Sequence, residues 1–273
     1  MGYKVTTADI QKMRKTTGAG MMDCKTALTE AEGDFDKAVE IIRKKGQAIA
    51  NKRADREANE GAVFTKIENG HGAMLALNCE TDFVARNENF IALAQKFLDA
   101  AFEAGAKTID DVKKVTIDGT TIEDLIHEQI GVIGEKIDIP FYAYEEAPYI
   151  HSYIHFGNKL AAMVLFNKEA GAEVANNVAM QVAAMAPIAV DKDDVPADIV
   201  EKEKEIAKEQ ARNENKPENL LEKIAMGRLN KFYQETTLMN QAFISDNKKK
   251  IKDYIKENDA DLKVLKFVRF SLS

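Results

Sequence analysis

Residues 62–78, AVFTKIENGHGAMLALN, decide the fold. Two β-type runs flank ENGHG, and Asn69-Gly70 is a pair favoured in tight hairpin turns because both residues accept positive φ. Residues 149–167, YIHSYIHFGNKLAAMVLFN, repeat the order of strand, glycine–asparagine turn and strand. A helical pattern follows each hairpin. From Phe90 the apolar residues step by three and four through Leu93, Ala94, Phe97, Leu98, Ala101 and Phe102, with Gly105 as a stop. In residues 172–185, AEVANNVAMQVAAM, one face carries Val174, Val178, Val182 and Met185, and Pro187 closes the helix. Gly70 corresponds to Gly157, Ile67 to Ile154, and Asn78 to Asn167 after a two-residue shift. The pattern is a pseudo-repeat of two hairpin-plus-helix units. The second unit is expected to gain KIDIPFYAYEE (136–146) as an earlier strand and VLKFVRFSL (264–272) as a later one.

Upstream, residues 5–46 predict three short helices. Thr6 or Thr7 caps the first, TGAG breaks it, and Asp23 caps the second, which ends at Gly33. Asp34 caps the third, with Phe35, Ala38, Val39 and Ile42 on one side and Gly46 as its end. QAIANKRADREANE (47–60) reads as a helical or extended linker. Downstream, residues 194–235 predict a charged helix, a polar turn at NENKP and a second helix. Ile199 and Ile206 on one helix face Leu220, Leu221, Ile224 and Phe232 on the other. These form an antiparallel helical hairpin inserted into the second unit. Its charge run is a solvated face or a partner surface.

The chain has 273 residues, is 45% hydrophobic and 30% charged, and carries a formal net charge of −7. That balance suits a soluble protein and opposes nucleic-acid binding through a general basic surface. Two cysteines, Cys24 and Cys79, are too few for a disulfide scaffold, and zinc-ligand spacings are absent. His151 and His155 read as strand residues roughly 13 Å apart, too far to share a metal. No apolar signal core or membrane-length run is present, so a cytoplasmic protein with reduced thiols is expected.

No catalytic constellation emerges. The phosphate-loop, nucleophile-elbow and dinucleotide-binding motifs are missing. Cys79 lies beside Glu80 and Asp82, whose charges oppose thiolate formation, so it reads as a small residue at a strand end. Met21 and Met22, adjacent at a turn, serve either a core or a contact surface. The stretch NCETDFVARNENF (78–90) is the most informative. Phe83 there either tucks beneath the helix that follows or points outward with Asp82 as an apolar anchor on a short elbow.

Taken together, TGAGMMDCKTAL (17–28), NCETDFVARNENF (78–90), YIHFGNKL (153–160), KPENLLEKIAMGRLNKF (216–232) and FVRFSLS (267–273) resemble, in order, segments of the elongation factor Ts family. The resemblance spans nearly the whole chain. It implies an α+β fold: a three-helix module like a ubiquitin-associated domain, a core of two antiparallel-sheet subdomains with packed helices, and an inserted coiled-coil hairpin. The corresponding divisions are 1–46, a linker at 47–60, first core subdomain 61–140, second core subdomain 141–188, hairpin 189–235, and return to the core 236–273.

The resemblance also implies a non-enzymatic nucleotide-exchange factor without cofactors, whose partner is the GTPase elongation factor Tu. Asp82 and Phe83, flanked by Thr81 and Val84, match the family's wedge, which disturbs the partner's magnesium and phosphate site. Met21 and Met22 are expected to grip the GTPase domain, and His155 and Gly157 to lean on another domain of the partner. HFGNKLAAM departs from the GGRIGV-like run of many relatives. The carboxy-terminal extension of some relatives is expected to be missing after FVRFSLS. The hairpin pairs factors in some relatives, and whether it forms a homodimer here is left open. Neither nucleic acid nor membrane is expected as a partner. An adaptor working through the three-helix module and a cysteine enzyme using Cys79 are the competing readings.

Overall fold

The computed structural model describes residues 3–272. The chain begins with α1 (Thr7–Thr17), α2 (Met21–Glu30) and α3 (Phe35–Arg53). A hairpin follows, β1 (Glu60–Glu68) and β2 (His71–Cys79), then a one-turn helix α4 (Asp82–Ala85) and α5 (Glu88–Glu103). The stretch after Gly105, for which the patterns above predict no element, folds as α6 (Ile109–Lys114), a two-strand ribbon of β3 (Thr116–Ile117) and β4 (Thr120–Thr121), and α7 (Ile122–Ile133). Next come β5 (Asp138–Glu146), the second hairpin β6 (Tyr149–Ile154) and β7 (Leu160–Phe166), and α8 (Ala172–Met185). The helical pair is α9 (Ala197–Asn213) and α10 (Leu221–Thr236); β8 (Ala242–Phe243), β9 (Asp246–Lys250), α11 (Ile251–Asn258) and β10 (Val264–Ser271) complete the chain.

Alternation of side chains builds the core in layers. On β1 and β2, Ala62, Phe64, Ala73, Leu75 and Leu77 point toward α5 and α7. Their neighbours Val63, Met74 and Ala76 point the other way, onto Ile150, Ala161, Met163 and Leu165 of the second hairpin. On β7 the alternate set, Ala162, Val164 and Phe166, packs against α8 and α11. Two antiparallel sheets therefore lie face to face with helices outside each. Period 2 on both faces explains why β2 and β7 read as unbroken apolar runs.

The sheet orders are β1-β2-β5 and β10-β7-β6. KIDIPFYAYEE thus belongs to the first sheet, where β5 pairs antiparallel with β2, and not to the second unit. The expected division at 140/141 falls inside this strand. The cause is the link Ala147-Pro148: it looks like a hairpin turn to β6 but carries the chain from one sheet to the other. The pseudo-repeat gains symmetry from this correction. In each sheet the second hairpin strand is central, and a later strand returns beside it.

Two further expectations change. Asp23 does not cap α2; the helix starts earlier, at Met21, and Asp23 lies in its first turn, paired with Lys45. α3 does not stop at Gly46 but runs to Arg53, absorbing the first half of the expected linker. Gly46 serves close approach rather than termination. A Cβ there would lie 2.6 Å from the His127 carbonyl oxygen, and one on Gly131 would lie 3.0 Å from Gly46 Cα. α3 and α7 cross at these glycines, and Arg43 locks the crossing through Glu128 (2.6 Å) and the Thr120 hydroxyl (2.9 Å).

α9 and α10 are antiparallel, since Lys208 pairs with Glu222 and Arg212 with Glu218. Their buried seam is Ala207 and Ala211 against Leu221, Ala225 and Leu229. The expected Ile199–Ile206 stripe is displaced by one position; Ile206 and Leu220 are exposed. Alanines at the seam let the axes close together, which isoleucines would prevent. At the base of the pair, buried Gln181 donates to Gln241 Oε1 (3.1 Å), and Gln241 donates to the Glu235 carbonyl (2.9 Å), joining α8 to the end of α10.

Gly46→Ala tests the crossing. Alanine would raise helix propensity by about 1 kcal/mol, but the methyl group meets backbone, which cannot rotate away. Overpacking of this kind costs about 1–3 kcal/mol, so urea unfolding should show net destabilisation; a stabilised variant would mean that the helices do not cross this tightly.

Candidate partner-binding site

The end of β2 turns sharply into α4. Thr81 caps that turn, its hydroxyl accepting from Val84 N at 3.4 Å. Ala85 is buried and Val84 half-buried beneath, so one turn of helix is seated on the core. Phe83 is then directed outward and is 84% exposed. Of the two alternatives open from the sequence, outward presentation is the one found. Asp82 is beside it, its carboxylate 3.2 Å from Arg86 one turn on.

The elbow is held by an exchange of carboxylates. Glu135, just after α7, accepts from Glu80 N and Thr81 N, both at 3.0 Å, and from the Thr81 hydroxyl at 2.7 Å. Glu80 answers across the same gap, accepting from Lys136 N at 2.6 Å. It also takes Arg53 at 2.8 Å from the last turn of α3 and Arg56 at 3.0 Å from the turn that follows it. Lys136 Nζ donates to the Ala54 and Arg56 carbonyls, closing the ring. Burial acts to raise the Glu80 carboxyl, but the Lys136 N–H and the two guanidinium groups outweigh it and hold the group below the ordinary glutamate range. Cys79 lies behind the clasp, buried, its thiol pushed up to about 12 by desolvation and then by the charge of Glu135. Such a thiol remains protonated at neutral pH and is a poor nucleophile.

Beside Phe83 runs a groove of about 370 Å³ bordered by Val84, Asn87, Phe90, Gln129 and Val132. Gly18, in the turn before Met21 and Met22, lies against the same Val132. The two methionines are 62% and 70% exposed, which favours a contact role over a core one. α7 thus links the methionine turn to the phenylalanine elbow. His155 and Gly157 are at the tip of the second hairpin, on a different element from both. The His155 ring nitrogen Nδ1 is 2.9 Å from the Tyr153 hydroxyl, and Gly157 has φ +87°. Sequence reasoning misses the supports Arg53, Arg56 and Glu135, which nothing in their local pattern marks. It also misses Phe156, between His155 and Gly157, 96% exposed; an aromatic directly before a turn glycine was the available signal.

A family model described as Elongation factor TS matches residues 80–273, beginning at the clasp glutamate. The chain belongs to the elongation factor Ts family. Among its relatives, the Elongation factor Ts of Christiangramia forsetii is 48% identical over 273 residues, covering 98% of this chain and 99% of that one. That of Azobacteroides pseudotrichonymphae is 49% identical over 270 residues, covering 98% of each. A third, from Bacteroides fragilis, is 42% identical, again covering 98% of each. The family is one of translation elongation factors that act as nucleotide-exchange factors in protein biosynthesis. No described helix is long and apolar enough to cross a membrane, and among the described residues no metal-holding cluster of His, Cys, Asp and Glu is found.

Glu80→Gln is expected to destabilise the fold by about 1.5–3 kcal/mol at neutral pH, the usual worth of charge-assisted bonds. A folded carboxyl lower than its unfolded one contributes fully above the unfolded pKa of about 4.3 and loses that contribution as pH falls through the folded pKa. The gap between parent and variant in urea unfolding should therefore be widest above about pH 5 and close on acidification; a gap independent of pH would assign the loss to packing.

Proposed function

We propose that the chain binds GDP-bound elongation factor Tu in the cytoplasm and promotes GDP release without itself making or breaking bonds. The observation that carries this reading is an exposed phenylalanine on a clamped elbow. Phe83 acts as a wedge between elements of the GTPase domain, and Asp82 accompanies it as the acidic partner. Thr81 and Val84 hold the wedge from below while their outer surfaces meet the partner. The displacement disturbs the partner's magnesium and phosphate site; GDP leaves and GTP rebinds. Met21 and Met22, on a three-helix module read as ubiquitin-associated-like, grip the GTPase domain, and His155 and Gly157 meet another domain. The helical pair is read as a coiled-coil hairpin, with self-association as its second use.

A GTPase holds diphosphate through backbone donors, a lysine and magnesium. A factor preferring the nucleotide-free form must weaken nucleotide binding, because coupling between two ligands is reciprocal. Speeding release about ten-thousand-fold requires lowering its barrier by about 5.5 kcal/mol. Burying one phenylalanine supplies about 1.5–3 kcal/mol. The remainder must come from further contacts that strengthen as nucleotide leaves, a part given to the methionine turn, while the second hairpin holds the partner in register. The raised Cys79 thiol weighs against the cysteine-enzyme reading. The adaptor reading offers no role for an exposed Phe83.

Release of a fluorescent GDP analogue from elongation factor Tu, with magnesium present, tests the proposal. The parent should accelerate release strongly, and Phe83→Ala should lose about 10- to 100-fold of that acceleration while unfolding at the parent's temperature, because the side chain is exposed. A folded parent that leaves the release rate unchanged would overturn it.

A further inference from the structure

The most exposed large apolar side chain among the described residues is Phe156, at 96%, and Phe83 is second. Scattered exposed hydrophobics are ordinary, but these two are neither scattered nor on loose loops. The tip carrying Phe156 is closed by His155 N to the Leu160 carbonyl (2.8 Å) and Asn158 N to the His155 carbonyl (3.0 Å). It is then pinned to β1 from outside its own hairpin. Val63 N donates to the Asn158 carbonyl at 2.8 Å, and Lys159 Nζ is 2.6 Å from the Glu60 carboxylate. Glu60 stands opposite Cys79 in the β1–β2 register, and Cys79 leads through the clasp to Phe83. Both phenylalanines therefore stand at one end of the paired sheets, on two arms tied together at Glu60–Val63.

We propose that Phe156 is a second apolar anchor, filling a hydrophobic recess on the same partner away from the recess that takes Phe83, and that it sets affinity rather than the rate of release. The inference rests on the exchange-factor reading and adds to it a residue and a division of labour. The shared mount favours one partner for both side chains: two rigid arms at one end present a fixed spacing that a single surface can match. The difference in role follows from position. Phe83 lies on the elbow that must move the partner's elements, so its burial grows as nucleotide leaves. Phe156, on the far arm, is buried equally before and after release, and binding of that uniform kind changes the half-saturating concentration but not the plateau rate.

GDP-analogue release from elongation factor Tu is measured against concentration of the parent, Phe156→Ala, Phe156→Leu and Phe83→Ala. Phe156→Ala should raise the half-saturating concentration about tenfold or more, as truncation of an anchor does, with a plateau within about twofold of the parent. Phe156→Leu should recover most of the affinity, and Phe83→Ala should lower the plateau. Neither Phe156 variant loses a buried contact, so both should fold. If Phe156→Ala saturates with the parent, or lowers the plateau alone, the anchor is overturned while the exchange function stands. If sedimentation shows that Phe156→Ala dissociates a dimer and leaves exchange intact, the side chain serves self-association and the proposal falls. If the parent fails to accelerate release, the exchange-factor reading falls and takes the anchor with it.

Discussion

A sheet that is apolar on both faces needs two covers, and this chain has two such sheets. Each supplies one cover for the other: Val63, Met74 and Ala76 bury against Ile150, Ala161, Met163 and Leu165. The fit is close enough that a Cβ on Gly72 would lie 2.7 Å from Met163 Sδ. Phe141 of β5 and Phe270 of β10 stack at 4.8 Å across the outer strands. Interiors packed to this density do not slide, so the loops leaving the two sheets keep a fixed separation. The rest of the molecule uses that constraint. The β2–α4 elbow and the β6–β7 tip have their places because the sheets beneath them cannot shift relative to each other.

On this base α7 performs three tasks. Its inner face completes the core of the first sheet through Ile122, Ile126 and Ile130. Its glycine, Gly131, receives α3 and so seats the three-helix module. Its end delivers Glu135 to the elbow and Val132 to the groove beside Phe83. The clasp adds charge where packing is thin. Glu80 and Glu135 each accept from the other's backbone neighbourhood, so neither carboxylate is left with a desolvated, unpaired oxygen. A half-made version would be worse than none, since a buried charge without partners costs more than it returns.

Local patterns were legible in the sequence, and non-local choices were not. The Asn69-Gly70 turn and the stripe from Phe90 through Phe97 to Ala101 follow from short-range periodicity, and both are found. Partner choice for β5 is non-local: its neighbour in sequence is β6, yet its neighbour in space is β2, and only Pro148 at the link hints at a change of sheet. Gly46 illustrates a second ambiguity. A glycine that ends a helix and a glycine that admits another helix look alike until the second helix is known, and α7 had no predicted counterpart. The elbow was legible as an oddity, an aromatic beside an acid at a turn. Its supports were not, because Arg53, Arg56 and Glu135 are ordinary surface residue types that acquire meaning only when the fold collects them around Glu80.

Rigidity is what makes a small apolar wedge useful. An anchor on a floppy loop would forfeit about 1–2 kcal/mol of backbone entropy for each residue ordered on binding, a sum that quickly exceeds the 1.5–3 kcal/mol gained by burying its ring. Here that entropy has already been lost in folding. Thr81 is bonded through its N–H and hydroxyl, Glu80 through its N–H and carboxylate, and Ala85 is buried in the core. The side chain of Phe83 alone remains to be ordered. Nearly all of its burial energy is then available to act on whatever surface receives it, and the clasp prevents the elbow from yielding when that surface pushes back.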